Sequence, residues 1–240
     1  MPPSPAIRLV IPCYNPAAGW AELLVHRAQA LRSELGMAEL PVTLVDDGSS
    51  RGVAAADREI LLRGLGSVEW LTHEVNRGKG AALRTGVAAR AGACLITDVD
   101  LPYTVESMAA ACRALQAGAD VVLGHRRMDY YARVPFARRV ISRSFRWVLR
   151  NVMRFPISDT QCGLKGFGEQ GRSLFLRTTI DRFLFDMEFV MLVSRRKDLR
   201  TEVVKARLNE GVRFSRMNYR ILLRESVNFL KVALRSLLRS

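Results

Sequence analysis

Up to about Gly124, short apolar runs alternate with longer segments of helical periodicity, and this alternation constrains the fold more than any other feature. The apolar runs are RLVIP, VTLVDD, VEWLTH, ACLITD and ADVVLG, the pattern of strands in a parallel sheet that is covered on both faces. The helical segments between them are residues 20–35, 53–65, 79–91 and 105–117. Such alternation implies right-handed crossovers, so the sequence predicts an α/β fold with a mostly parallel sheet and helices on both faces.

Two of the predicted strands end in paired acids, in the stretches VDDGSS and TDVD. Ligands of such sheets bind at the carboxyl ends of the strands, which places both stretches on the functional edge. Asp98 and Asp100 suit a hard divalent cation that shares its ligand shell with substrate phosphates. Asp46 and Asp47 could accept hydrogen bonds from a ribose or a base edge, or they could cap the following helix.

Three further stretches contain candidate functional residues. Residues 76–86, NRGKGAALRTG, place glycines and Lys79 at a helix start, which predicts either an anion site that binds substrate phosphate or a simple turn. The turn SDTQCG offers a carboxylate, a hydroxyl and an amide within four residues. In FDMEF, Asp186 and Glu188 alternate with apolar residues, so at least one of these acids should be partly buried and have a partner. The three histidines lack metal-ligand spacing and are interpreted as structural or surface residues.

The second half of the chain has a different character. SDTQCGLKGF predicts a turn and a short strand, DMEFVMLVSRR a helix, and TEVVKARL an edge strand. Two segments have arginines at helical spacing, one within residues 139–154 and one in the tail from Met217 onward. They are typical of basic amphipathic helices that attach to an anionic membrane surface, although a helix packed on the core with a solvated basic face has the same pattern. Five basic residues near such a surface would contribute at most roughly 5 kcal/mol, so attachment would depend on salt.

The composition restricts the class of protein and partner. The 240 residues have a formal net charge of +14, which favours a polyanionic partner: nucleic acid, an anionic membrane or phosphate-bearing ligands. Nucleic acid is not expected, since the sequence contains no aromatic-rich platform and no recognised reader motif. The four cysteines are scattered and contain no C-x-x-C pair, which predicts reduced core thiols. No stretch has the pattern of a secretory signal or of a membrane span, so we expect a cytoplasmic protein that is peripheral on the inner face of the membrane.

In order along the chain, IPCYNP, LVDDGSS, NRGKGAALRTG, TDVD, GHRR, ARRVISRSF and SDTQCGLKGF resemble the motifs of glycosyltransferase family 2. This family contains inverting nucleotide-sugar transferases of GT-A fold. The closer similarity is to its polyprenyl-phosphate branch, the dolichyl-phosphate glucosyltransferases and mannose synthases. The resemblance covers roughly residues 7–215, with a nucleotide-binding half to about residue 124, an acceptor half from about 125, and a basic amphipathic helix over 216–240.

The resemblance implies roles for individual residues. It implies nucleotide contacts at Pro12, Tyr14, Asp46 and Asp47, and metal and diphosphate ligands at Asp98 and Asp100. It implies phosphate contacts at Arg126, Arg138 and Ser142, and an acceptor-side motif at Asp159 and Gln161. Of these residues, Asp100, Arg126 and Asp159 are the predicted catalytic ones. Two departures from the family pattern are that Pro16 replaces its usual glutamate and that the C-terminal membrane spans of many relatives have no counterpart here.

The implied reaction is the transfer of a hexose from a nucleotide diphosphate-sugar to a polyprenyl phosphate, assisted by Mg²⁺ or Mn²⁺. Glucose from UDP-glucose is expected, and GDP-mannose is the alternative donor. An acceptor phosphate is already ionised near neutral pH, so Asp159 would orient it; with a hydroxyl acceptor, on a soluble sugar or a glycan, Asp159 would be the candidate base. A basic protein that binds nucleic acid or membranes without catalysis is the non-enzymatic alternative.

Overall fold

The computed structural model describes residues 7–51, 53–126, 159, 161–182 and 184–210. Within these residues, seven strands form one sheet: β1 Arg8–Cys13, β2 Val42–Asp46, β3 Val68–Thr72, β4 Cys94–Ile96, β5 Val121–His125, β6 Lys165–Phe167 and β7 Thr201–Lys205. Six helices accompany them: α1 Trp20–Glu34, α2 Ala55–Leu65, α3 Lys79–Ala89, α4 Val105–Gln116, α5 Glu169–Phe175 and α6 Phe185–Ser194.

The strand order is β3-β2-β1-β4-β6-β5-β7. Strand β6 runs antiparallel to both neighbours, β4 and β5, while the other strand pairs are parallel. The predicted mostly parallel sheet is therefore confirmed, and β7 is at one edge of it, as predicted. Because β6 is inserted between β4 and β5, and Lys165 at its start pairs with Ile96, residues 161–163 lie beside the end of β4.

Successive side chains of a strand point to opposite faces of the sheet, and both faces are buried. In β1, Leu9 and Ile11 belong to one apolar cluster, which also contains residues of α1, α2 and α4. Val10 points the other way, into a second cluster with residues of α3, α5 and α6. This arrangement confirms the predicted helices on both faces.

Helix α5 was not predicted from the sequence. It is short, and Gly171 in its middle lowers its helical propensity. A Cβ at Gly171 would lie 2.0 Å from the carbonyl oxygen of Asp120, so glycine allows the helix to pack against the start of β5. The predicted ranges of α2 and α3 differ from the observed ones by two residues at one end each.

All four cysteines are buried and none forms a disulfide, as predicted. Burial raises the pKa of Cys94 to about 12, which makes its thiol unreactive near neutral pH. Of the helices in the described part of the chain, none is both long enough and apolar enough to cross a bilayer. The predicted basic helices of residues 139–154 and 216–240 lie outside the described residues, as does the domain boundary at 215, and they stay predictions.

Candidate functional site

The carboxyl ends of β1, β2 and β4 meet at one edge of the sheet, which we call the rim. It consists of residues 12–15 at the end of β1, 46–50 at the end of β2 and 97–103 after β4. Cys13 pairs with Asp46 in the parallel ladder of β1 and β2, so the first two segments are adjacent. The structure thus brings together the acidic strand ends at the edge where α/β sheets bind ligands.

The first two segments of the rim are joined by hydrogen bonds of Asn15. Its backbone N–H donates to Ser49 Oγ over 2.9 Å, and its side-chain amide donates to Ser50 Oγ over 3.0 Å. The backbone N–H of Ser49 donates to Asp46 Oδ1 over 3.1 Å, which closes the turn on β2. Tyr14 remains exposed beside this turn, and Pro12 is half-buried. Pro12, Tyr14 and Asp46 therefore lie together, where the sequence predicted nucleotide binding.

Asp47 is buried and holds the loop that leads into α3. Its Oδ1 accepts from the Arg77 N–H over 2.9 Å, and its Oδ2 accepts from the Gly78 N–H over 2.8 Å. His73 Nδ1 lies 2.7 Å from Asp47 Oδ1, and its Nε2 lies 2.9 Å from Thr85 Oγ1, so this histidine is structural as predicted. Asp47 accordingly has protein partners on both oxygens and positions the loop.

The N-terminus of α3 matches the turn interpretation of residues 76–86 better than the anion-site interpretation. The backbone N–H groups of Gly80 and Ala81 both donate to the carbonyl oxygen of Asp181, over 2.7 and 3.2 Å. The N–H groups of residues 77 and 78 donate to Asp47, so the amides of residues 77, 78, 80 and 81 all have acceptors within the protein. The cation that this loop presents to the rim is the ammonium of Lys79, which donates a hydrogen bond to Asp98 Oδ1.

Asp98 and Asp100 form the acidic part of the rim after β4, with partly exposed residues. Burial, together with repulsion from Asp98, raises the pKa of Asp100, and Arg27 and Lys79 lower it in part. Burial alone would lower the pKa of Lys79, but the charges of Asp98, Asp186 and Asp100 outweigh burial and raise that pKa. The two carboxylates thus repel each other, and Arg27 and Lys79 offset only part of the combined effect of burial and repulsion on the pKa of Asp100.

The backbone of the same loop is held by two residues from distant parts of the chain. Arg27 Nη1 on α1 donates to the carbonyl oxygens of Asp100 and Leu101, over 2.5 and 3.1 Å. Asn209 Nδ2 donates to the carbonyl oxygens of Leu101 and Tyr103, over 3.1 and 3.0 Å. Leu101 has a φ of 39°, a left-handed conformation that is uncommon for leucine, and these bonds stabilise it.

The donor chemistry of Asp98 and Asp100 fits Mg²⁺ or Mn²⁺. Both supply hard carboxylate oxygens, and a cation would relieve the repulsion that raises the pKa of Asp100. In residues 7–51, 53–126, 159, 161–182 and 184–210, no group of three or more His, Cys, Asp and Glu side chains is arranged to hold a metal. A metal at this pair would therefore take further oxygen ligands from water or from substrate phosphates.

On the acceptor side, Asp159 and Arg126 form a buried forked ion pair. Arg126 Nε and its backbone N–H each donate to Asp159 Oδ2 over 2.9 Å, and Arg126 Nη2 donates to Oδ1 over 2.7 Å. Burial alone would raise the pKa of Asp159, but the hydrogen bonds and charge of Arg126 outweigh it and lower that pKa. Gln161 is exposed beside the pair. Asp159 is thus an ionised carboxylate whose two oxygens both accept from Arg126.

The turn that follows Asp159 contacts the end of β4. The Gly163 N–H donates to Tyr103 Oη over 2.8 Å. A Cβ at Gly163 would lie 3.2 Å from Asp98 Oδ2 and 3.7 Å from Lys79 Nζ. Glycine therefore allows the acceptor-side turn to approach Asp98 closely, and the predicted donor and acceptor elements meet here.

A buried ion pair below this turn was not predicted. Lys165 Nζ donates to Asp186 Oδ1 over 2.6 Å and to the carbonyl oxygen of Cys162 over 2.5 Å. The expectation that the acids of FDMEF have partners is confirmed, because Glu188 accepts from the N–H groups of Thr179 and Ile180 over 2.8 and 2.9 Å. The sequence signal for Lys165 was a single lysine within the apolar stretch GLKGF.

Two predicted phosphate contacts, Arg138 and Ser142, lie outside the described residues and stay predictions. Arg27 and Asn209 were missed because their partners are 74 and 108 residues away at the furthest. No local pattern marks either residue.

Comparison with protein families and curated proteins identifies related sequences. The model of the family described as glycosyl transferase family 2 matches residues 9–183. The dolichyl-phosphate β-glucosyltransferase of Dictyostelium discoideum is 26% identical over 79% of this chain and 62% of its own length. The dolichyl-phosphate β-glucosyltransferase of Homo sapiens is 26% identical over 80% of this chain and 64% of its own length. The chain therefore spans less than two thirds of the length of these two relatives.

Solved structures with the same fold include two sugar-transferring enzymes. Mannosyl-3-phosphoglycerate synthase from Rubrobacter xylanophilus superposes with a TM-score of 0.67 at 16% identity, over 97% of this chain and 74% of that one. Glucosyl-3-phosphoglycerate synthase from Mycobacterium tuberculosis, solved with Mn²⁺, UDP-glucose and phosphoglyceric acid, gives a TM-score of 0.58 at 15% identity, over 97% and 79%. These likenesses confirm the predicted GT-A fold.

Proposed function

Because this chain belongs to glycosyl transferase family 2, we propose that it transfers a hexose from a nucleotide diphosphate-sugar to a polyprenyl phosphate, with inversion at the sugar carbon and with the help of a divalent metal. Glucose is the proposed sugar and UDP-glucose the proposed donor. The proposed place of the reaction is an anionic membrane surface on the cytoplasmic side, to which the basic segments of residues 139–154 and 216–240 would attach the protein.

The observation that carries this proposal is the meeting of Asp98, Lys79 and the Asp159 turn at the rim. Asp98 and Asp100 would hold the cation, which would supply positive charge to the departing diphosphate. Lys79 lies beside them with a raised pKa and is cationic at neutral pH, so it can bind a donor phosphate. Since Gly163 lies against Asp98, an acceptor that contacts the turn would be adjacent to the donor phosphates.

The state of Asp159 supports a phosphate acceptor. A general base should have a pKa near the working pH and an accessible oxygen. The forked ion pair with Arg126 lowers the pKa of Asp159 and occupies both oxygens, so the carboxylate orients Arg126 instead of taking a proton. A polyprenyl phosphate requires no base, because its oxygen is already ionised. The names of the curated relatives, dolichyl-phosphate β-glucosyltransferases, agree with this acceptor.

A two-phase transfer assay tests the proposal. Purified protein is mixed with Mg²⁺ or Mn²⁺, a polyprenyl phosphate and labelled UDP-glucose or GDP-mannose, and the label that enters the organic phase is counted. We expect label from UDP-glucose that requires metal and falls at least about 100-fold in Asp100→Ala. The matched control is Asp198→Ala, an exposed carboxylate paired with Arg196, which should keep wild-type activity.

The acceptor class is decided by the same assay with Asp159→Asn. The variant should retain measurable transfer to a polyprenyl phosphate, with a loss of no more than about tenfold, because no proton is removed. If no label enters the organic phase, but label is transferred to a soluble sugar or glycan added as acceptor and Asp159→Asn abolishes that transfer, the result would instead favour a hydroxyl acceptor. Absence of transfer from every donor, combined with retention on DNA or liposomes, would favour the non-enzymatic binding function.

A further inference from the structure

The backbone on both sides of Lys79 is held by hydrogen bonds. On one side, Asp47 accepts from the N–H groups of residues 77 and 78. On the other side, the carbonyl oxygen of Asp181 accepts from those of residues 80 and 81. A Cβ at Gly78 would lie 2.5 Å from that same Asp181 oxygen, and one at Gly80 would lie 2.5 Å from the Ile180 oxygen, so the loop is packed closely against residues 180–181. Movement at this position is therefore restricted to the Lys79 side chain.

The side chain of Lys79 reaches one of the two carboxylate oxygens that Asp98 could offer to a metal. Its ammonium donates to Asp98 Oδ1, while Asp98 Oδ2 faces the turn at Gly163. The Lys79 side chain is 23% exposed and that of Asp98 is 38% exposed, so the pair borders solvent and can be reached by a ligand. An ammonium on Asp98 Oδ1 competes with a divalent cation both for the oxygen and by direct repulsion.

We propose that Lys79 is a tethered counter-ion of Asp98 that moves to the donor diphosphate when the donor and its metal bind. The inference rests on the proposed function for the identity of the donor. A diphosphate at the rim offers the ammonium a more highly charged partner than one carboxylate. The departure of Lys79 then leaves Asp98 Oδ1 for the cation, so each ligand favours binding of the other.

This exchange predicts a thermodynamic coupling between metal and nucleotide. When metal binds alone, it must displace Lys79 from Asp98, and the ammonium has no new partner. When UDP is also bound, the diphosphate accepts the ammonium, so the metal does not have to compete with Lys79. By linkage, the factor by which UDP raises the affinity for metal equals the factor by which metal raises the affinity for UDP. Removing the charge of Lys79 should strengthen the binding of metal alone and reduce this factor.

The experiment is a titration of Mn²⁺ followed by the electron paramagnetic resonance signal of the free ion, with and without saturating UDP. The variants are Lys79→Met and Lys79→Gln, which remove the charge, and Lys79→Arg, which keeps it. Lys197→Met, at an exposed lysine, is the matched control for the loss of one positive charge. Circular dichroism confirms that each variant is folded, and no acceptor or transfer is needed.

We expect Lys79→Met and Lys79→Gln to bind Mn²⁺ alone about tenfold more tightly than the wild type, within the usual range of coupling between adjacent sites. The ratio of the Mn²⁺ affinity with UDP to that without UDP should be lower in both variants than in the wild type, by at least about fivefold. Lys79→Arg and Lys197→Met should resemble the wild type. If both neutral variants bind Mn²⁺ alone no more tightly than the wild type does, the inference is overturned. The proposed function still stands in that case, provided that UDP enhances the binding of Mn²⁺ to the wild type. A wild type that binds Mn²⁺ neither alone nor with UDP would overturn both.

Discussion

Replacing Lys165 by methionine tests whether the buried ion pair supports the rim. Lys165 and Asp186 have side chains that are 2% and 7% exposed, and their charged atoms are 2.6 Å apart. Methionine fills a similar volume but leaves Asp186 and the Cys162 carbonyl oxygen without the ammonium. Breaking a buried pair from one side costs about 3–5 kcal/mol, because the remaining charge is left desolvated. We expect Lys165→Met to lose stability in this range at pH 8.

The loss should depend on pH through Asp186. Burial raises the pKa of this carboxyl above its ordinary value, and Lys165 and Lys79 lower it in part, so Lys165→Met raises it further. An acid whose pKa is higher in the folded than in the unfolded state contributes stability below the unfolded pKa. That contribution is lost as the pH rises through the folded pKa. The variant should therefore be less destabilised at pH 5 than at pH 8.

Equilibrium unfolding in urea at pH 5 and pH 8 measures both effects. The double variant Lys165→Met/Asp186→Leu removes both charges and should recover at least half of the loss at pH 8. Arg63→Met is the matched control, since Arg63 pairs with Glu59 on the surface and its loss should cost less than about 1 kcal/mol. The reasoning is refuted if Lys165→Met costs less than about 1 kcal/mol at pH 8, or if the double variant is no more stable than the single one.

Three further predictions concern single side chains. Arg27→Met should raise the pKa of Asp100, which Arg27 lowers, and so shift the pH dependence of Mn²⁺ binding upward in a titration from pH 5 to 8. Gly86→Ala would place a Cβ 2.5 Å from Val10 Cγ1 and should cost about 1–3 kcal/mol, measured as a lower midpoint in thermal unfolding. Asp159 has a lowered pKa, so its contribution to stability is present above the unfolded pKa, near 3.9, and is lost as the pH falls through the folded value. Asp159→Asn should therefore flatten the acid side of the stability curve, and a wild-type slope below pH 4 would contradict this.

The elements of the fold were predictable because their signals are local. Every predicted strand and helix in the described residues has its counterpart, since periods of 2 and 3.6 residues directly reflect which face is buried. The acidic strand ends were predictable for the same reason. The long-range contacts of the site were not, because Arg27 reaches the carbonyl oxygen of Asp100 across 73 residues and Arg126 reaches the carboxylate of Asp159 across 33. Only the folded sheet brings such pairs together.

The same geometry explains how two carboxylates can stand at the end of one strand. Arg27 from α1 and Lys79 from the start of α3 lower the pKa of Asp100, and Lys79 also binds Asp98. Asn209 from the segment after β7, together with Arg27, holds the backbone of the loop. Each of these groups comes from a different part of the chain, so the acidic pair acquires its full environment only when the sheet is complete. The raised pKa of Asp100 that remains, which burial and Asp98 cause, is what a further cation at the rim would lower, as the proposed function requires. Because Lys79 is the partner that can move, it is also the group through which donor binding would affect Asp98.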